Sequence, residues 1–349
     1  MVICSFDCAT TSGQSPIVLR DLTLIEDRTV ESFSLESIKL NDGTQLGWEQ
    51  VFRATVQPER QAEFDRNLVE IGLSLVRLRQ RIAIGDWNRL HEITDQLMIR
   101  YSGVDSSIGK TVCVAAMKGR LETDSRAAAV LPFLMACGKS SELPEQVLKS
   151  LDLTAGELES GICKQLLPAW FDLESVKQQK NLIIAYSKEQ GVSLPNGGYI
   201  YLASFSIALE QWDQAKQFLD EVSNPDPNTK QWKQLLVSEV DRRRLGESGI
   251  GDFRVDSQTQ PAIVAVSQFW SAETNASKAA VNPAGNILEY LKVSALWGDR
   301  FPSLASASLY RAILLAESSN MAEEAKTLTA ELLRSHTNSY HERLLNTKN

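Results

Sequence analysis

The chain is poor in the residues that usually build catalytic and metal sites. It has only three histidines, His91, His336 and His341. His336 and His341 stand five positions apart, not the i, i+4 spacing that sets two ligands on one helical face. His91 lies beside Leu90 in a helical stretch and reads as a packed or surface imidazole. No serine occupies a Gly-x-Ser-x-Gly elbow. The five cysteines, Cys4, Cys8, Cys113, Cys137 and Cys163, are odd in number and widely spaced, which argues against a disulfide framework. Cys113 and Cys137 fall in Ala-rich helical stretches and read as small core residues. No apolar run is long enough to cross a bilayer. Residues Met1 to Asp7 lack a basic start and carry an acid in the apolar stretch, so they do not read as a signal peptide. As written, the chain is expected in the cytoplasm. A misassigned start would place it in an export pathway instead.

Positive charge is also short. The net charge is −8 and the sequence pI is near 5.2, a balance that repels a phosphate backbone and argues against general nucleic-acid binding. Two basic clusters, Arg77, Arg79 and Arg81, and Arg242-Arg243-Arg244, read as solvated helix faces. What is present is an ordinary folding composition. Hydrophobic residues make up 43% and charged residues 23%, so wholesale disorder is excluded.

The texture divides the chain. Residues 1–16 are rich in Ser, Thr and Gly and read as a disordered leader. Residues 17–57 form a small β-rich segment, with short β-favouring runs at 17–19, 22–25 and 32–35. Ile38-Lys39-Leu40 and Leu46-Gly47-Trp48 then flank Asn41-Asp42-Gly43-Thr44-Gln45. A two-residue Asp-Gly hairpin would pair Leu40 with Gln45 and split the apolar residues between faces. A five-residue loop pairs Leu40 with Leu46 and Ile38 with Trp48, and puts all four on one face, which is the register favoured here.

From about residue 58 the period becomes helical. Phe64, Leu68, Ile71, Leu75, Leu78 and Ile82 step by three or four along one long helix. Gly85-Asp86-Trp87 breaks it, and Leu90, Ile93, Leu97 and Tyr101 stripe an antiparallel partner. Helices follow at 107–121 and 125–137, the second kinked or split by Pro132. The array extends over 58–245. A loop or linker follows at 246–258, rich in Gly, Ser and Asp. C-terminal helical pairs occupy 259–335, and a polar tail, 336–349, is expected to fray.

Two stretches invite a chemical reading. Gly103 to Thr111 ends in Gly-Lys-Thr like a phosphate-binding loop, but five residues separate its glycines where that loop has four, and it follows a helix, not a strand. It reads as a turn into the next helix with Ser106 or Ser107 as N-cap. Trp170, Trp232, Trp270 and Trp297 sit on apolar helical faces and read as core, with one or two as candidates to line a groove. No catalytic, cofactor-binding or metal residue is assigned.

Residues 199–227 resemble a tetratricopeptide repeat: Tyr199, Leu202, Ala203, Trp212, Ala215, Leu219 and Pro227 fall at that family's spacing, while Ser206 and Val222 depart from it. Residues 74–101 and 303–335 share only the helix-turn-helix rhythm. The β-rich head followed by helical pairs also resembles an uncharacterised bacterial family. The expected fold is therefore mainly α, a tetratricopeptide-like helical-repeat array with a small N-terminal β-sheet element. The resemblance implies a surface that docks a protein or peptide partner, and so a non-enzymatic interaction or scaffolding module. The alternatives are an enzyme whose site gathers distant residues from several helices and a structural protein of the bacterial envelope.

Overall fold

The computed structural model describes residues 16–87, 89–245, 253, 255–277 and 282–348. The expected leader, Cys4, Cys8 and most of the expected 246–258 linker lie outside them. The protein is mainly helical with a small antiparallel β head. Six short strands, β1 (Ile17–Leu19), β2 (Leu24–Ile25), β3 (Val30–Phe33), β4 (Ile38–Leu40), β5 (Gln45–Leu46) and β6 (Val51–Arg53), make two three-stranded sheets ordered β2-β1-β6 and β3-β4-β5.

The β4–β5 hairpin corrects the expected register. Ile38 pairs with Leu46 and Lys39 with Gln45, so the loop is shorter than five residues. Gly43 adopts a left-handed φ of 86° and donates to Leu40 O at 2.9 Å, while Leu40 N donates to Thr44 O at 2.8 Å. A glycine free to take that conformation closes the loop early. The slip is two residues, so side-chain parity survives, and Ile38, Leu40, Leu46 and Trp48 are all buried. Leu22, expected in a strand, sits instead in a turn at φ 71°.

Residues 58–84 do run as one helical rod, in three pieces: α1 (Pro58–Asn67), a π-helical turn (Leu68–Gly72) and α2 (Leu73–Ile84). The wider turn rotates the apolar stripe in mid-course. It also brings Gly72 against the hairpin, where a Cβ would lie 2.8 Å from Trp48 O. Trp48, Phe64 and Phe33 pack there as a triplet, and Tyr101, at the end of α3 (Leu90–Tyr101), donates its hydroxyl to Leu35 O. The β head is thereby fused to the first helices in one core.

Next come α4 (Ser107–Glu122) and α5 (Arg126–Cys137). Pro132 does not split α5. A proline leaves the carbonyl four residues back without its helical donor. Here that carbonyl, Ala128 O, accepts from Arg120 Nη1 at 2.8 Å. Two short helices, α6 (Glu145–Ser150) and α7 (Ala155–Ser160), precede an irregular stretch, residues 161–172, in which Ile162, Cys163, Leu166, Leu167 and Ala169 are all buried. Buried irregular backbone needs side-chain partners. It has them: Tyr201 Oη accepts from Cys163 N at 3.0 Å, and Glu157 Oε1 accepts from Lys164 N at 2.7 Å.

The remaining helices are α8 (Leu173–Gln190), α9 (Asn196–Ala208), α10 (Trp212–Glu221), α11 (Pro227–Leu245), α12 (Pro261–Ser277), α13 (Pro283–Trp297), α14 (Pro302–Ser318) and α15 (Ala322–Ser335). Ala203 and Ala215 are fully buried where α9 and α10 pack together. The tail departs most from expectation. Residues 340–348, expected to fray, form α16 (Tyr340–Lys348), with His341 and Leu345 buried. Leu345 packs with Leu309, Ile313 and Leu332 of α14 and α15, a sheltered apolar seat that outweighs the polarity of the segment.

Candidate functional site

The 161–172 stretch brings Trp170 and Phe171 to the middle of the protein, where α9, α11, α12, α14 and α16 converge. Between them lies a cavity of about 320 Å³, within the size range of small-ligand sites. Its walls are aromatic and charged by turns. Trp170 packs at a tilt against Phe205 with centroids 4.6 Å apart and donates from its indole to Ser204 Oγ at 2.8 Å. Trp270 and Phe269 bring the face of α12 to the same space.

The charges form a ladder. Glu239, buried on α11, accepts from Arg242 at 2.6 Å and Arg243 at 2.5 Å. Arg243 continues to Glu273 at 3.1 Å, and Arg311 closes on the other oxygen of Glu273 at 3.2 Å. Burial works against the Arg243 guanidinium, but Glu239 and Glu273 outweigh it and hold its pKa above the ordinary value. The basic run 242–244 is thus not the solvated face expected from sequence. Its members are ion-paired, Arg244 reaching Asp213 at 3.2 Å. The other cluster is paired in part, with Arg79 on Glu49 at 2.8 Å and Arg81 on Asp86 at 2.7 Å.

His341 closes one side. Its imidazole is boxed by Phe171, Tyr310 and Tyr340, with centroids at 5.0, 5.4 and 5.3 Å. Nδ1 lies 3.1 Å from Ser306 Oγ. That hydroxyl donates to Ser303 O at 3.0 Å, which leaves it to accept from Nδ1–H. Burial, reinforced by Arg311, pushes the pKa of His341 down to about 3, so the ring is neutral at physiological pH. Beside His341 lies a small hollow lined in part by Asp124, Arg126, Ser303 and Tyr340. A second cavity of about 560 Å³ shares Asp124, Arg126 and Ser303 with that hollow.

Other residues singled out from sequence have local structural roles. Ser106 caps α4, accepting from Gly109 N at 3.0 Å, and Lys110 turns inward to donate to Lys139 O at 3.0 Å. Gly103 to Thr111 is thus a helix start. His91 Nδ1 is buried without a partner. His336 is drawn below its ordinary pKa by burial. Burial pushes the thiols of Cys113 and Cys163 up to about 11 and about 12 and raises that of Cys137 too, which favours the protonated thiol at neutral pH. Of the four tryptophans, Trp170 and Trp270 line the cavity. Trp232 belongs to the core, and Trp297 donates to Gln268 Oε1 at 2.7 Å. Among the described residues no three His, Cys, Asp or Glu side chains gather to hold a metal, and no helix is long and apolar enough to cross a membrane.

The cavity residues missed in sequence, Glu273, Arg311 and Arg126, carry no local motif; they stand on separate helices and meet only through the fold. Compared with protein families, curated proteins and solved structures, the chain finds no match.

Proposed function

We propose that this protein is a non-enzymatic interaction module, a tetratricopeptide-like array of paired helices that receives a peptide segment of a partner protein in the cleft around Trp170, Phe171 and Tyr310. The observation that carries the reading is the grip on α16. The helical body already holds a short helical segment: His341 is boxed by rings from two separate elements, Tyr340 N is bound by Asp124, and Leu345 is seated on α14 and α15. Aromatic walls with arginines and carboxylates beside them are the surface that binds peptide anchors. Ala203 and Ala215, both fully buried in the core that α9 and α10 share, support the tetratricopeptide-like description.

The alternative, an enzyme, draws on the same convergence of Arg243, Glu273, Arg311 and His341. The chemistry does not favour it. A general acid or base works best with a pKa near the operating pH, and His341 lies far below at about 3. Glu273 is bridged by two arginines, one on each carboxylate oxygen, so both oxygens are already engaged within the protein.

The test is a photo-crosslinking amino acid placed at Leu173, half-exposed on the cavity rim, and separately at Ile99, 85% exposed and away from it. In native lysate the Leu173 position should capture a defined protein through one peptide region, and an excess of that peptide should compete. Identical products from both positions, or none at Leu173, would overturn the reading.

A further inference from the structure

We infer that the 560 Å³ cavity is a binding site for an oxyanion group, a phosphate or carboxylate of a small molecule, held at its inner end by Arg126. The argument starts from how Arg126 is satisfied. One Nη donates to Ser303 Oγ and the other to Gln165 O at 3.0 Å. Both acceptors are neutral. Nε is buried and finds no acceptor among the described residues. The nearest carboxylate, Asp124, takes the backbone N–H of Tyr340 at 2.5 Å instead of forming a direct pair. Arg126 is part-buried, and each Nη carries two N–H groups of which the neutral acceptors engage one, so the spare Nη–H groups suit an anion.

The rest of the cavity agrees. The first turns of α12 and α14 line it, at Gln260, Pro261 and Ala262 and at Pro302 and Ser303. Neither first turn carries an acidic residue, and the N-cap of α14, Phe301, offers no side-chain acceptor. By contrast, α15 has Glu323 and Glu324 in that position. Both helix starts therefore lack a carboxylate in their first turn. Arg300 stands at the rim, exposed, set over the Phe301 ring at 5.7 Å, with no carboxylate partner among the described residues. The other charges there largely cancel, Lys118 with Glu122 at 3.1 Å and Lys164 with Asp152 at 2.6 Å. The unbalanced remainder is two arginines and two helix N-termini against Asp124. The site shares no lining residue with the peptide cleft and does not depend on that reading.

Isothermal titration of the full chain with inorganic phosphate, and separately with succinate, at constant ionic strength set by chloride, tests this. Saturable binding of either supports the site, and the stronger of the two names the preferred group. Arg300→Gln should weaken binding about tenfold, the usual worth of one charge-assisted contact, and Arg126→Gln should abolish it. Arg334→Gln, on the exposed face of α15, should bind as the parent. Arg300 is at the surface, so its variant decides the matter even where Arg126→Gln does not fold. Absence of saturable heat with both titrants, or parental affinity in Arg300→Gln, overturns the proposal.

Discussion

Tyr340 and Asp124 are 216 positions apart, and the backbone N–H of one donates to the carboxylate of the other at 2.5 Å. The bond joins the turn between α4 and α5 to the first residue of α16. Beside it, Arg126 reaches Ser303 at the start of α14. The early helices and the last ones are therefore clasped directly, and His341 is the side chain on which the clasp is centred.

The first expectation concerns that side chain. His341→Ala removes an imbedded ring with three aromatic neighbours and should cost about 2–3 kcal/mol. Urea denaturation of the two proteins measures it. A variant ending at His336 should lose at least as much, and a synthetic peptide of residues 337–349 added to it should recover part of the loss. Unchanged unfolding midpoints would mean α16 contributes nothing.

Acid provides the second. The unfolded imidazole titrates near 6.5 and the folded one near 3. Between those values the unfolded chain binds a proton that the folded one refuses, so stability is full above about pH 6.5 and falls as pH is lowered toward 3. The slope from this group approaches about 1.4 kcal/mol per pH unit. Asp124, raised by burial, acts in the opposite sense, since folded protein takes up its proton first. Denaturation midpoints from pH 7 to pH 4, compared with those of His341→Phe, isolate the histidine. Parallel curves would reject the assignment.

Arg120 and Pro132 should be coupled. Arg120→Met leaves Ala128 O without its donor and should cost about 1–2 kcal/mol. In a Pro132→Ala background the new backbone N–H can take that carbonyl, and the same change should cost about 1 kcal/mol less. Arg120 also pairs with Asp95 at 3.1 Å, a contribution common to both backgrounds. A double-mutant cycle therefore reads the carbonyl bond alone, and an additive cycle would contradict it.

Close approach sets the fourth. A Cβ at Gly72 would stand 2.8 Å from Trp48 O, a backbone atom that cannot swing aside, while at Gly156 it meets nothing within 4 Å. Gly72→Ala should destabilise by about 2 kcal/mol or more. Gly156→Ala, inside α7, should be neutral or stabilise by up to about 1 kcal/mol. Thermal melts of both decide, and equal effects would refute the contact.

Much of the architecture is written locally. The step of three and four from Phe64 to Ile82 gives the first helical rod, and the alternation of Ile38, Leu40, Leu46 and Trp48 gives the buried face of the hairpin. The register of that hairpin is not in the alternation, because a slip of two preserves every face and only the conformation of Gly43 decides it. The integrity of α5 could not be read from Pro132, because the donor that repairs it comes from the preceding helix. The tail was missed for a related reason. Tyr340, His341 and Leu345 are a sparse apolar set in a polar segment, and their burial is conferred by Phe171, Tyr310 and Leu309. The cavities lie further from sequence still, since Glu273, Arg311 and Arg126 become neighbours only when distant helices pack.

An open stack of helix pairs behaves like a spring: each coil touches only the next, and the ends can melt without troubling the middle. The bonds from Asp124 to Tyr340 and from Arg126 to Ser303 fasten distant coils to one another. A stack so fastened resists stretching and gives way as a whole, so this protein should lose its amide protection in one concerted step where an unfastened one would unzip from its ends.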